Sequence, residues 1–189
     1  MSNDVTLILG GARSGKSRFA ESYALGMGLE PIYVATCEIW DNEIRDEEMR
    51  ARIQLHQESR DARWKTIEEP LALAELINRE ATPERVLLVD CLTLWLSNQM
   101  EQNSDIATET KALQSALNQT TGPVILVSNE VGQGIVPENK LARTFRDEAG
   151  RLNQGIASTA NNVYAVMAGL TLPLKTNNVL MGPEIPLNV

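Results

Sequence analysis

Short apolar runs recur along the chain at Val5–Leu9, Pro31–Ala35, Val86–Val89, Val124–Val127 and Asn162–Met167, each with little polar interruption. A strand with one solvated face alternates apolar and polar residues. One covered on both faces reads as a continuous apolar run, so these segments predict the strands of a largely parallel sheet. Between them apolar residues fall at helical spacing, over Asp41–Asp61, Leu71–Glu80, Ala107–Leu117 and Lys140–Ala160. Strand and helix in alternation predict right-handed crossovers and a doubly wound α/β fold with helices on both faces of the sheet. Ligands of such a fold bind at the carboxyl ends of the strands. Thr171–Lys175 adds a candidate edge strand. Residues 176–189, with Asn177, Asn178, Gly182, Pro183 and Pro186, read as a C-terminal tail after a single domain over 1–175.

Charge narrows the choice of ligand. With 17 Lys and Arg against 25 Asp and Glu, the formal net charge is −8. Such a balance opposes broad attraction to nucleic acid or anionic lipid, so any phosphate binding must be local. No segment approaches the length of a membrane span, and the N-terminus lacks the pattern of a secretion signal. Cys37 and Cys91, the 2 cysteines, stand far apart without a metal-binding spacing, which predicts reduced thiols in a cytoplasmic protein.

The first apolar run is followed at once by Gly10-Gly11-Ala12-Arg13-Ser14-Gly15-Lys16-Ser17, and then by a helical pattern holding Phe19, Ala20, Tyr23 and Ala24. This is the spacing of a phosphate-binding loop in its strand–loop–helix context. Gly10 and Gly15 permit backbone angles that turn successive N–H groups towards an anion. Lys16 supplies a point charge, Ser17 a hydroxyl for Mg²⁺, and the helix N-terminus favours negative charge on the same side. Arg13 either reaches a phosphate or braces the loop. A glycine-rich turn without function would not need this context on both sides.

Further carboxylates end later strands. Asp90 follows Val86–Val89, where it would hold Mg²⁺ directly or through water, cap the helix that follows at Thr93, or do both. Glu130 follows the run at Val124–Val127. It is either a solvated loop residue or a group that orders water, orients Lys16 or activates a hydroxyl. His56 is the only histidine. It lies near the apolar stripe of the Asp41–Asp61 helix, as a half-buried structural histidine would. Arg52 and Arg60, four residues to either side, adjoin the same ring and suit a phosphate-handling surface. There they would keep the imidazole neutral and able to attack phosphorus.

Taken together, several stretches resemble one family, the bifunctional adenosylcobinamide kinase / adenosylcobinamide-phosphate guanylyltransferases of cobalamin biosynthesis. They are Gly10–Glu21, Tyr33–Cys37, Arg52–His56, Trp64–Pro70, Leu87–Trp95 and, the longest and most distinctive, Ser128–Gln154. The resemblance implies a P-loop nucleoside triphosphate hydrolase-like (RecA-like) sheet. It also implies phosphorylation of adenosylcobinamide by ATP or GTP with Mg²⁺, then transfer of GMP from GTP to adenosylcobinamide phosphate. In the family the histidine at the position of His56 carries the guanylyl group. Nucleotide contacts are implied at Gly10–Ser17, at Ala35, Thr36 and Cys37, at Gln57, Glu58, Ser59 and Arg60, and at Glu68 and Asp90. Glu68 has the acceptor chemistry that guanine requires. Metal contacts are implied at Ser17 and Asp90, and the assembly implied is a homotrimer in the cytoplasm.

Two other readings fit the loop alone. A recombinase-like or motor ATPase shares the fold, but the acidic charge and scarce aromatic residues oppose strand binding. A plain small-molecule kinase would leave His56 structural.

Overall fold

The computed structural model describes residues 4–37 and 62–181. The helix expected over Asp41–Asp61 lies outside the described residues. Among the described residues eight strands form one sheet: β1 (Val5–Gly10), β2 (Glu30–Ala35), β3 (Lys65–Glu68), β4 (Arg85–Asp90), β5 (Val124–Asn129), β6 (Asn162–Met167), β7 (Leu170–Thr176) and β8 (Val179–Leu180). Their spatial order is β3-β2-β4-β5-β1-β6-β7-β8. The first six are parallel, and β7 and β8 are added antiparallel. The described helices are α1 (Lys16–Gly26), α2 (Leu73–Glu80), α3 (Leu92–Glu101), α4 (Ile106–Gln119) and α5 (Lys140–Thr159).

The continuous apolar runs have the expected cause. On β4, Leu87 and Val89 enter one core with Leu73, Leu76, Leu113, Leu117 and Leu152 from the helices. Val86 and Leu88 enter a second core on the opposite face, where Ala20 and Ala24 of α1 pack. On β5, Val124 and Leu126 divide from Ile125 and Val127 in the same way. The small side chains of α1 bring its backbone close to the sheet, which fixes the helix N-terminus beside the carboxyl end of β1.

Two features depart from the sequence pattern. Strand β3 was not expected, because Lys65, Thr66 and Glu68 are exposed and only Ile67 packs inward. Among the described residues it pairs with β2 alone. At the C-terminus the sheet continues beyond Lys175. Thr176 completes β7, and Asn177 and Asn178, both at positive φ, turn the chain into β8, within the stretch expected as a tail. Among the described residues no helix is long and apolar enough to cross a membrane.

Candidate active site

Strand β1 ends at Gly10 and α1 begins at Lys16, so the intervening loop is held between two rigid elements. Gly15 precedes the helix at φ 97°, a conformation that favours glycine. Gly10 is required by space: a Cβ there would lie 2.5 Å from Ser14 Oγ and 2.6 Å from the Val166 carbonyl oxygen. Lys16 is only 8% exposed, and its Nζ donates to the Gly11 carbonyl over 3.1 Å. The ammonium thus sits inside the curl of the loop. The Ser14 hydroxyl is buried there without a hydrogen-bond partner.

Neighbouring elements build the rest of the cleft, which encloses about 970 Å³. The loop from Ala12 to Arg18 forms one wall. Thr93, Leu94 and Ser97 of α3, Asn129 and Glu130 at the end of β5, and Phe145 of α5 form the others. Glu130 is tied to the loop, since its N–H donates to the Gly10 carbonyl over 3.1 Å. Its Oε1 accepts from the Gly132 N–H at 2.6 Å, which holds the carboxylate at the cleft. Beneath, Asn129 Nδ2 donates to Thr93 Oγ1 over 2.7 Å, and Thr93 Oγ1 lies 2.9 Å from Cys91 Sγ. Burial pushes the Cys91 thiol above its ordinary pKa, helped by the adjacent Asp90 charge.

The sequence-derived candidates separate along the sheet edge. Ala12–Ser17 and Glu130 meet in the cleft, whereas Gly10 and Gly11 do not line it. Asp90 stands at the end of β4, two strands from β1, and does not line the cleft. Its Oδ2 accepts from the Tyr33 hydroxyl over 3.2 Å. It does not cap α3, whose N-cap is Cys91 without a side-chain cap. Thr36 is fully buried, and its hydroxyl both donates to the Cys91 carbonyl and accepts from the Cys91 N–H, each over 2.8 Å. Its side chain therefore joins β2 to β4, while Ala35 and Cys37 beside it are half-buried. Glu68 is exposed at the end of β3, opposite Ala35. With strands spaced roughly 4.8 Å apart, β3 lies about 19 Å from β1. His56, Gln57, Glu58, Ser59 and Arg60 lie outside the described residues.

Thr93, Asn129 and Phe145 are cleft residues that the sequence reading missed. Each comes from a different element, so no local motif unites them. A usable signal existed for Asn129 and Thr93, which stand at and just beyond carboxyl ends of parallel strands.

The donors present suit a hard cation bound with a nucleotide. Among the described residues no group of three or more His, Cys, Asp or Glu could hold a metal ion. A cation would rest on the Ser17 hydroxyl, a carboxylate, phosphate oxygens and water, which is the environment that Mg²⁺ favours.

The architecture resembles that of flagellar accessory protein FlaH from Methanocaldococcus jannaschii. The likeness has a TM-score of 0.51 at 14% identity and covers 93% of this chain and 80% of that one. It concerns the fold alone, a mostly parallel sheet flanked by helices. Sequence similarity reaches further. The chain is 48% identical over 171 residues to the bifunctional adenosylcobalamin biosynthesis protein CobP of Pseudomonas aeruginosa, covering 89% of this chain and 96% of the relative. It is 40% identical over 184 residues to the bifunctional adenosylcobalamin biosynthesis protein CobU of Escherichia coli K12, covering 89% and 98%. The family described as cobinamide kinase / cobinamide phosphate guanyltransferase matches residues 6–174, from β1 into β7. Family match, long alignments and phosphate loop agree, and the chain is an enzyme of the cobinamide kinase / cobinamide phosphate guanyltransferase family.

Proposed function

We propose that this enzyme phosphorylates adenosylcobinamide with ATP or GTP and then transfers GMP from GTP to the product, with His56 as the guanylyl carrier. The observation that carries the reading is the Gly10–Ser17 loop opening into a cleft that also holds Glu130, in a chain of this family.

In the kinase step the loop N–H groups and Lys16 hold the outer phosphates. The cobinamide hydroxyl attacks the γ-phosphorus, the bond to the bridging oxygen breaks, and the nucleoside diphosphate leaves. Glu130 is the cleft carboxylate placed to take the hydroxyl proton. Ser17 would hold Mg²⁺ in the cleft, with Asp90, which stands outside the cleft lining, as a further ligand directly or through water; the cation would supply charge neutralisation at the phosphoryl oxygens.

In the second step a ring nitrogen of His56 attacks the α-phosphorus of GTP, forming a P–N bond and releasing pyrophosphate. An oxygen of cobinamide phosphate then attacks the same phosphorus. The P–N bond breaks, imidazole is restored, and adenosylcobinamide-GDP forms. Gln57, Glu58, Ser59 and Arg60 act beside His56, while Ala35, Thr36, Cys37 and Glu68 serve the guanosine end. Glu68 accepts from guanine N1–H and N2.

Incubation with α-labelled GTP and Mg²⁺ tests this route. Label should remain on the wild-type protein, resist alkali, be lost in acid and be absent from His56→Ala. That variant should keep its kinase activity. A wild-type chain that takes up no label sinks the His56 route, and parallel loss of both activities in His56→Ala makes the residue structural.

The assembly is a cytoplasmic homotrimer in this reading. The exposed apolar side chains Met167, Leu170 and Leu172 on β6 and β7 offer a surface for subunits to cover. Sedimentation of the full chain as a monomer would exclude it.

A further inference from the structure

The phosphate cleft does not end at Phe145. Ser97 and Phe145 also line an adjoining recess of about 380 Å³ between α3 and the first turns of α5, so the two spaces share a wall. The recess has an apolar floor of Met100, Ala142 and Phe145, with Leu141, Glu101, Asn139 and the Ser97 hydroxyl towards its rim. No lysine or arginine is among these described lining residues, which makes it unsuited to a phosphate group.

Beside it, the connection from β5 to α5 carries apolar side chains in solvent: Ile135 is 97% exposed, Val136 59%, and Leu141, just inside the helix, 66%. This connection is fastened, not loose. Arg143 Nη1 donates to the Pro137 and Glu138 carbonyls, and the Asn139 side chain caps α5 by accepting from the Leu141 N–H. Exposed apolar side chains on a fastened connection that leads into the recess mark a ligand surface. It also belongs to Ser128–Gln154, the longest stretch carrying the family resemblance, and phosphate binding leaves most of that stretch without a task.

We propose that this recess, with the apolar shelf of Ile135, Val136 and Leu141, seats one edge of the corrinoid ring of cobinamide while the substrate's hydroxyl arm enters the phosphate cleft. The assignment rests on the function proposed above, because it takes the acceptor from that reaction. Three properties of the site select this occupant. It adjoins the cleft across Ser97 and Phe145, so the arm of a bound acceptor has only that shared wall to pass on its way to the γ-phosphorus. Its floor suits methyl groups, and the hydroxyl, carboxylate and amide at its rim suit neutral amide side chains; a corrinoid carries both. Finally, its volume admits the edge of a macrocycle while the remainder lies on the exposed shelf.

Equilibrium dialysis tests the seat directly, because the corrinoid is read by its own visible absorbance. The full chain is loaded with a non-hydrolysable ATP analogue and compared with Leu141→Glu, which places a charge on the shelf, and Ala142→Trp, which fills the recess. Both substitutions should weaken cobinamide binding at least tenfold and raise its KM, with nucleotide affinity within twofold and sedimentation unchanged. If Ala142→Trp fails to fold, Leu141→Glu decides, since that side chain projects into solvent. Wild-type corrinoid affinity in the folded variants overturns the assignment. Weakened corrinoid binding accompanied by a change in sedimentation also overturns it, in favour of a contact between copies of the chain. A wild-type enzyme that neither binds nor phosphorylates cobinamide fails at the earlier reading and removes this one with it.

Discussion

The N–H of Gly169 donates to the carbonyl oxygen of Ser14 over 2.9 Å, linking the tip of the β6–β7 hairpin to the middle of the phosphate loop. Residues 168 and 169 form the two-residue turn, with Ala168 at φ 53° and Gly169 at φ 77°. This left-handed pair matches the twist of a hairpin and aims the Gly169 N–H outward at the loop. The bond fixes the Ser14 peptide, whose far side begins the turn into α1. Gly169→Ala meets no steric obstacle, but its φ strains an L-residue by roughly 1–2 kcal/mol. We expect weaker nucleotide binding by about fivefold, the worth of roughly 1 kcal/mol for one hydrogen bond. Gly169→Asn, which tolerates this conformation, should recover most of the loss. Nucleotide titration of the two variants checks the order, and equal affinity in both would dissociate the hairpin from the loop.

A methyl group at Gly10 has nowhere to go. It would meet Ser14 Oγ and the Val166 carbonyl oxygen at once, so the loop or β6 must shift. Gly10→Ala should cost about 1–3 kcal/mol of stability by overpacking and abolish detectable triphosphate binding. Thermal unfolding with and without nucleotide measures both effects. Retained stabilisation by nucleotide would show that the loop can adapt.

The thiols should react at very different rates. Cys37 is half-buried, whereas Cys91 is 5% exposed, hydrogen-bonded near Thr93 and held protonated above the usual thiol range by burial. Only the thiolate attacks an alkylating reagent. Alkylation of native protein at pH 8 should modify Cys37 and spare Cys91 until unfolding, as peptide mass mapping would reveal. Rapid modification of Cys91 would contradict the packing around it.

Asp105 caps α4 by accepting from the Ala107 and Thr108 N–H groups, and its Oδ2 accepts from the Thr108 hydroxyl. These bonds, the Thr108 hydroxyl first, hold its carboxyl below the ordinary pKa of 3.8. A folded pKa below the unfolded one contributes stability above the unfolded value, and that contribution fades as pH falls through the folded pKa. Asp105→Ala should therefore lower the melting temperature at pH 7 and lose its effect in acid. Paired melts at pH 7 and below pH 3 give the comparison.

Much of this fold is written in local pattern. Val86 to Val89 announce a central strand because both of their faces are covered, and Gly10 to Ser17 announce a phosphate loop because the backbone geometry is a property of one short segment. Strand β3 carries no such mark, since it lies at an edge where Lys65, Thr66 and Glu68 meet solvent. Helix α3, expected at Thr93, shows no extent in the pattern for the opposite reason: Leu92, Trp95, Leu96, Asn98 and Gln99 are all buried, leaving little polar face to set a period. Asn98 and Gln99 are there to serve carbonyls of Thr36, Pro70 and Leu71. Such long-range hydrogen bonds leave no trace in spacing. The cleft beyond the loop is illegible for the same reason, being assembled from α3, β5 and α5 only when the sheet forms.

The mutual Thr36–Cys91 hydrogen bonds and the marginal place of β3 give this side of the sheet two unequal anchors. At one end, β2 is flanked by β3 and β4 and its last turn is riveted to the interior by Thr36. At the other, β3 has a neighbour on one side only among the described residues, with a run of just four residues. Local opening takes the lowest free-energy route, and an edge strand can detach while the remaining ladder stays paired. Amides of Ile67 and Glu68 should exchange with solvent long before those of Val34 or Val89. In such a molecule β3 can open at a small fraction of the global unfolding cost, while the phosphate loop at the centre of the sheet keeps its shape.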